Sequence, residues 1–205
     1  MTDHPHDITV IGDALGGLVP PVVRAGSLRV DPALVDRLLP DELDAVSRAV
    51  TARRSEFATG RSLLRHLTGT DGAVPVAPDR SPVLPPGWVA SLAHAGPVVV
   101  ALASEDPDVA ALGVDVEPQG PMTDGEVAVV RRADDPPLDG RAAMVLKEAA
   151  YKAWSGLGGP LIDFHDVRLE VDVDTFTAVA PGDTRLHGRW TAVAGHWLAA
   201  VTVTR

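Results

Sequence analysis

Asp115 and Glu117 stand two residues apart in the segment Gly113-Val114-Asp115-Val116-Glu117-Pro118. On a β-strand, side chains at i and i+2 point to the same face. Two carboxylates side by side repel each other unless a cation sits between them. A hard divalent ion such as Mg2+ takes oxygen ligands of this kind. The exposed polar face of an edge strand carries the same pattern, so spacing alone leaves both readings open. Pro118 argues that the strand ends at once, which puts the carboxylates at a strand terminus, where sites are commonly built.

The run Lys147-Glu148-Ala149-Ala150-Tyr151-Lys152 holds both lysines of the chain. On a helix Glu148 and Lys152, at i and i+4, share a face. A surface ion pair has this spacing too. Beside ammonium groups, however, Glu148 could complete an oxygen-ligated cation site while the lysines hold phosphate oxygens as point charges. Arg54, Arg61 and Arg65 are seven and four apart and would line up along one helical face. Arginine's planar fork suits bidentate phosphate contacts. Glu56 partly neutralises that row, and a solvated stripe would look alike. His94 follows Ser91-Leu92-Ala93 at the mouth of an apolar run, and the other six histidines show no metal-ligand spacing. No nucleophile-elbow, Walker A or dinucleotide-binding pattern occurs.

The elements that must position these residues can be read in outline. Residues 1–30 hold apolar pairs broken by Gly16, Gly17, Pro20 and Pro21, and read as a strand and loops. Pro40-Asp41-Glu42 reads as a helix start with Asp41 as N-cap. After a break near Thr51, a second helix is expected over 54–67, ended by Gly69. Residues 70–88, rich in Pro and Gly, read as a loop or linker. Residues 97–102 form a continuous apolar run, the pattern of a buried strand. Over 109–117 a second strand places Leu112, Val114 and Val116 on one face, Asp115 and Glu117 on the other. Residues 118–138 are polar and Pro-rich. Residues 139–154 read as a helix, Ala-rich and Pro-free, closed by Gly156, Gly158, Gly159 and Pro160. Strands over 167–173, 175–180, 188–194 and 197–203 read as an antiparallel meander. The fold class is α+β, with a boundary between Ser104 and Leu112.

Bulk properties narrow the function further. Hydrophobic residues make up 45% and charged residues 22%, ordinary values for a globular chain. The absence of cysteine excludes disulfides, thiolate metal sites and a Cys nucleophile. A net charge of −10 argues against nucleic acid as a partner, because that binding draws on basic contacts. Five of the sixteen arginines nonetheless fall between Arg48 and Arg65, which suits a small anionic ligand. Residues 1–7 show no secretory pattern, and the longest apolar run is too short to span a bilayer. The expectation is a cytoplasmic protein with no membrane partner.

In order along the chain stand Arg53-Arg54-Ser55-Glu56-Phe57-Ala58-Thr59-Gly60-Arg61, then Arg80-Ser81-Pro82, then Ser91-Leu92-Ala93-His94, then Gly113 to Pro118, then Lys147 to Trp154, then Gly188-Arg189-Trp190. This ordered set, spanning residues 40–205, resembles the 4′-phosphopantetheinyl transferases, in particular the long monomeric type that serves siderophore, peptide and polyketide synthases. The resemblance implies two similar α+β halves, 1–108 and 109–205, related by a pseudo-twofold axis, with coenzyme A in the cleft between them. It implies Mg2+ held by Asp115, Glu117 and Glu148, phosphate contacts from Lys152 and Lys147, and a grip on the 3′-phosphate and adenine end by Arg54, Arg61, Arg80 and His94. It implies transfer of phosphopantetheine to a serine of an apo acyl or peptidyl carrier protein, with 3′,5′-ADP leaving. Glu148 would then be the base and Lys152 would stabilise the departing phosphate. Carrier proteins of such systems are acidic, so docking on this acidic enzyme is expected to be mainly apolar, with weak salt dependence.

The chain departs from the family's pattern at several points. Ala93 replaces a hydroxyl residue before His94. Met144, Val145 and Leu146 replace an aromatic and a small polar residue. The stretch 118–146 is short, and Asp79 stands where a basic residue is common. A coenzyme A-binding protein of the same fold without transfer activity is the alternative these departures allow. A metal-dependent nuclease would need an acid two before a lysine on a strand, and no such pair occurs.

Overall fold

Residues 98–104, buried at every position, form the centre of the N-terminal half. In the computed structural model, which describes residues 6–205, this strand lies between two others. β1 (Arg24–Arg29) and β2 (Val89–Ala95) flank β3 (Val98–Ser104) antiparallel, in the order β1-β3-β2. Both faces of β3 are covered, which explains its unbroken apolar sequence. Val99, Ala101 and Ala103 pack under Leu63, Leu64 and Leu67. Those leucines belong to α3 (Thr51–Thr68), which ends on Gly69 at φ 69, a left-handed cap that glycine adopts without steric cost. Val98, Val100 and Leu102 face the other way, toward the C-terminal half.

The second sheet begins at β4 (Val109–Pro118) and has the order β4-β8-β7-β6-β5. Its other strands are β5 (Arg168–Val171), β6 (Thr175–Ala180), β7 (Thr184–Val193) and β8 (His196–Thr204), all antiparallel. Val114 and Val116 of β4 and Leu198 and Ala200 of β8 share one apolar cluster with Val98, Val100 and Leu102. The opposite face, with Ala199 and Val201, is covered by α5 (Gly140–Gly156). The layers therefore run α3, first sheet, shared core, second sheet, α5. Ser91 links the sheets directly, its Oγ accepting the Val114 N–H at 3.0 Å.

Two expectations are corrected here. Of the strand and loops read over residues 1–30, the strand is present as β1, but residues 6–17 form a helix, α1 (His6–Gly17). Ile11, Leu15 and Leu18 carry it into the shared core, and that burial outweighs the glycine pair at its end. Residues 1–5, read as no leader, lie outside the described residues. Asp41 is not a cap: α2 (Pro40–Val46) has Leu39 at the N-cap and Pro40 inside the first turn, where its missing N–H costs nothing. The polar, Pro-rich stretch 118–138 holds α4 (Asp124–Val130).

α4 starts with a capping box. Thr123 Oγ1 accepts the Glu126 N–H at 3.3 Å, and Glu126 Oε2 accepts the Thr123 N–H at 2.7 Å. Thr123→Ala is expected to speed amide exchange in α4 about fivefold, the loss of about 1 kcal/mol of local stability. Exchange rates unchanged within α4 would refute the role of the box.

Candidate active site

α5 reaches β4 closely because nothing but hydrogen stands on Gly113. A Cβ built there would lie 1.9 Å from the Ala149 carbonyl oxygen and 2.9 Å from the Ala153 nitrogen. Ala149, Ala150 and Ala153 are fully buried on the facing side of the helix. This contact of small residues brings the acidic end of the strand under the helix.

Three acids and one lysine meet as a result. Lys152 Nζ lies 2.7 Å from Asp115 Oδ1 and donates to the Val114 carbonyl at 3.0 Å. Asp115 is 7% exposed, so Lys152 partners an almost buried carboxylate. Burial pushes the Asp115 carboxyl above its ordinary value, against the pull of Lys152. Burial, then the charge of Asp115, pushes Glu148 up as well. Glu117 is raised by burial and next by Asp115, with Glu148 adding to the same effect. The charge of Asp115 thus reaches both glutamates, and that of Glu148 reaches Glu117. Oxygen donors with mutually unfavourable charge suit a hard divalent cation. Among the described residues, however, no three acids or histidines already converge on one metal position. Basic side chains hold two of the acids instead: Lys152 on Asp115, and Arg141 Nη1 at 3.6 Å from Glu117 Oε2.

His94 approaches from the other half. β2 carries it on the face opposite Ala93, whose side chain packs into the shared core. Arg53 Nη1 lies 2.6 Å from His94 Nε2, and Glu56 Oε2 is 3.6 Å from the same nitrogen. An arginine N–H donates there, so Nε2 must be the unprotonated, accepting nitrogen of a neutral ring. Burial lowers the His94 pKa, and Arg53 and Lys152 lower it further against the opposing charges of Glu56 and Asp115. His94 therefore senses both members of the Asp115–Lys152 pair across the two halves.

The structure brings together Asp115, Glu117, Glu148, Lys152 and His94 among the residues singled out by sequence. It places others elsewhere. Lys147 is 1% exposed and spends its ammonium on Asp135 Oδ2 at 2.7 Å and on the carbonyls of Val130 and Phe164. No donor is left for a phosphate, which corrects the expected role of Lys147. Arg54 donates Nε and Nη2 to the carbonyls of Val46 and Ser47, closing the end of α2. Arg65 grips Glu42, which is fully buried and also accepts the Val74 N–H. Arg61 is buried over the Phe57 ring, its guanidinium carbon 4.2 Å from the ring centre, and burial lowers its pKa to about 10. Arg80 sits exposed on a turn at φ 72. The arginine row of the sequence is thus dispersed over several tasks. Sequence reasoning missed Arg53 and Arg141. Arg53 lay within the quoted arginine-rich run, and Arg141 had no signal beyond its place in the first turn after Asp139.

A model of the 4′-phosphopantetheinyl transferase N-terminal domain matches residues 41–104, the stretch that carries Arg53 and His94. Over 82% of its length the chain is 37% identical to the 4′-phosphopantetheinyl transferase Svp of Streptomyces mobaraensis, covering 80% of that protein. It is 30% identical to the 4′-phosphopantetheinyl transferase PptT of Mycobacterium tuberculosis, over 80% of this chain and 86% of the other. The 4′-phosphopantetheinyl transferase Npt of Nocardia iowensis is 25% identical over 79% of this chain. These matches make this α+β protein of two sheets a transferase. The chain belongs to the 4′-phosphopantetheinyl transferase family and is an enzyme of that class.

Proposed function

We propose that this enzyme transfers the 4′-phosphopantetheine group of coenzyme A to a serine of an apo acyl or peptidyl carrier protein, with Mg2+, and releases 3′,5′-ADP. The observation that carries the proposal is the cluster of Asp115, Glu148 and Lys152 facing His94 across the two halves. Asp115, Glu117 and Glu148 would hold the cation, which supplies charge neutralisation for the pyrophosphate oxygens. Glu148, its carboxylate made more basic by burial, accepts the proton of the carrier serine. The serine oxygen bonds to the phosphorus that carries pantetheine, and the phosphoanhydride bond breaks. The electron pair leaves with 3′,5′-ADP, whose new oxyanion is stabilised by Lys152. His94 and Arg53 hold the 3′-phosphate and adenine end, with Arg61 behind them. Both sides of the site come from one chain, so a monomer is sufficient. A cytoplasmic setting, where coenzyme A and carrier proteins would meet, is part of this proposal. Among the described residues no helix is long and apolar enough to cross a membrane. Siderophore, peptide and polyketide synthases are the carriers' proposed setting.

Mass spectrometry of apo carrier protein incubated with enzyme, coenzyme A and Mg2+ tests the reaction. A gain of one phosphopantetheine, abolished by chelator, is expected. Tight coenzyme A binding with no gain across several carrier classes would shift the reading to a binding protein without transfer activity. Within the proposed site, Arg53→Ala is expected to raise KM for coenzyme A about tenfold while kcat stays within about twofold, since a phosphate contact remote from the reacting phosphorus contributes to binding alone. Steady-state kinetics at saturating carrier protein checks this, and a change confined to kcat would contradict it.

A further inference from the structure

Two of the three acids of the site already have basic partners, and one of these, Arg141, differs in kind from the close ion pairs of the molecule. Arg65 meets the fully buried Glu42 through both carboxylate oxygens, at 2.5 and 2.6 Å. Arg141 meets Glu117 at 3.6 Å, with both side chains about a quarter exposed. That separation is a charge contact without a hydrogen bond. The Arg141 Nε is buried with no partner among the described residues, so the guanidinium is not saturated where it lies. Its backbone is fixed, however: the Arg141 N–H donates to Oδ1 of Asp139, the N-cap of α5, at 3.0 Å. Gly120 borders the guanidinium, and even a Cβ there would stay 3.9 Å from Nε. The side chain thus has an anchored root and a tip that makes a charge contact in place of hydrogen bonds.

We infer that Arg141 is an internal counter-ion that competes with the divalent cation for Glu117 and thereby sets how tightly the site takes metal. The inference rests on the proposed metal-dependent reading of the site. Arg141 and Lys152 together place two positive charges among three carboxylates. A dication engaging Asp115, Glu117 and Glu148 must take Glu117 away from Arg141 against the repulsion of a like charge. Arg141 is therefore a positioning residue: it keeps Glu117 from swinging into solvent or toward Asp115 when no metal is bound, at the expense of affinity.

Mn2+ binding to the full-length protein without coenzyme A, followed by electron paramagnetic resonance, reads this without any turnover. Arg141→Gln is expected to tighten Mn2+ binding about fivefold, the size of a partly exposed charge contact, and Arg141→Lys to leave it near the wild-type value. Arg141→Met provides a second charge-removing variant, and near-ultraviolet circular dichroism shows which proteins are folded. Asp115→Asn serves as control. If Asp115→Asn loses Mn2+ while both charge-removing variants bind it no more tightly than wild type, the counter-ion role is overturned and the metal site stands. If Asp115→Asn binds Mn2+ as wild type does, the metal reading fails and the counter-ion role fails with it.

Discussion

Gly113→Ala is expected to destabilise the folded protein by about 3 kcal/mol, at the upper end for adding one methyl to a packed core. The reason is what the methyl meets. Its carbon would sit 1.9 Å from the Ala149 oxygen and 2.9 Å from both the Ala149 carbonyl carbon and the Ala153 nitrogen. These are helix backbone atoms, so no side chain can rotate out of the way. α5 must lift off β4, and Ala149, Ala150 and Ala153 lose their packing together. The same movement would part Lys152 from Asp115, now 2.7 Å apart. Stability and site assembly should therefore fail in the same variant. Guanidinium unfolding measures the first, and Mn2+ affinity the second. Gly16→Ala is the control: it lies in α1 with nothing within 4 Å of an added Cβ, and should be neutral or stabilising by up to about 1 kcal/mol. A Gly113→Ala protein as stable as wild type would remove the close approach as an account of the Gly-Val-Asp-Val-Glu segment.

The contrast between these glycines also shows what the sequence made legible. β4 could be read because its alternation has a period of two, and both of its faces are used: Val114 and Val116 toward the shared core, Asp115 and Glu117 toward α5. α5 could be read at both ends to within two residues, from its Pro-free, Ala-rich run and the glycines that follow, although Asp139 proves to be its N-cap and the helix runs on to Gly156. That Gly113 is the contact point could not be read, since it depends on a helix over thirty residues away. α1 carried a signal that the glycines masked: Ile11, Leu15 and Leu18 are spaced four and three. α4 carried one in its Thr123-x-x-Glu126 box. The departure of Lys147 from the site follows from simple geometry. Five residues on a helix turn roughly 140° away, so Lys147 and Lys152 could not both face one site. The arginines of α3 were a different matter. Arg53 faces His94 while Arg54 closes the end of α2 and Arg65 takes the buried Glu42, and none of these partners is written in the helix itself.

Glu148→Gln is expected to lower kcat by about 10²–10⁴ while leaving the fold intact, the range for removing a positioned general base. The substitution keeps the shape of a half-buried side chain and removes its charge. Three observations converge on Glu148 rather than its neighbours. Asp115 is nearly buried and committed to Lys152. Glu117 lies at the end of the strand beside Arg141. Glu148 has no ion pair among the described residues, and its carboxylate is made more basic by burial and by Asp115. A base needs that freedom and that basicity, whereas a ligand needs only its oxygen. The two roles separate by measurement. Glutamine retains one carbonyl oxygen, so Mn2+ affinity in Glu148→Gln should fall far less than kcat. Glu117→Gln should do the reverse, weakening Mn2+ more than it slows turnover at saturating metal. A Glu148→Gln enzyme whose kcat stays within tenfold of wild type would rule out Glu148 as the proton acceptor. A loss of Mn2+ binding as large as the loss of kcat would make Glu148 a ligand first, and would return the proton to a solvent molecule at the same site.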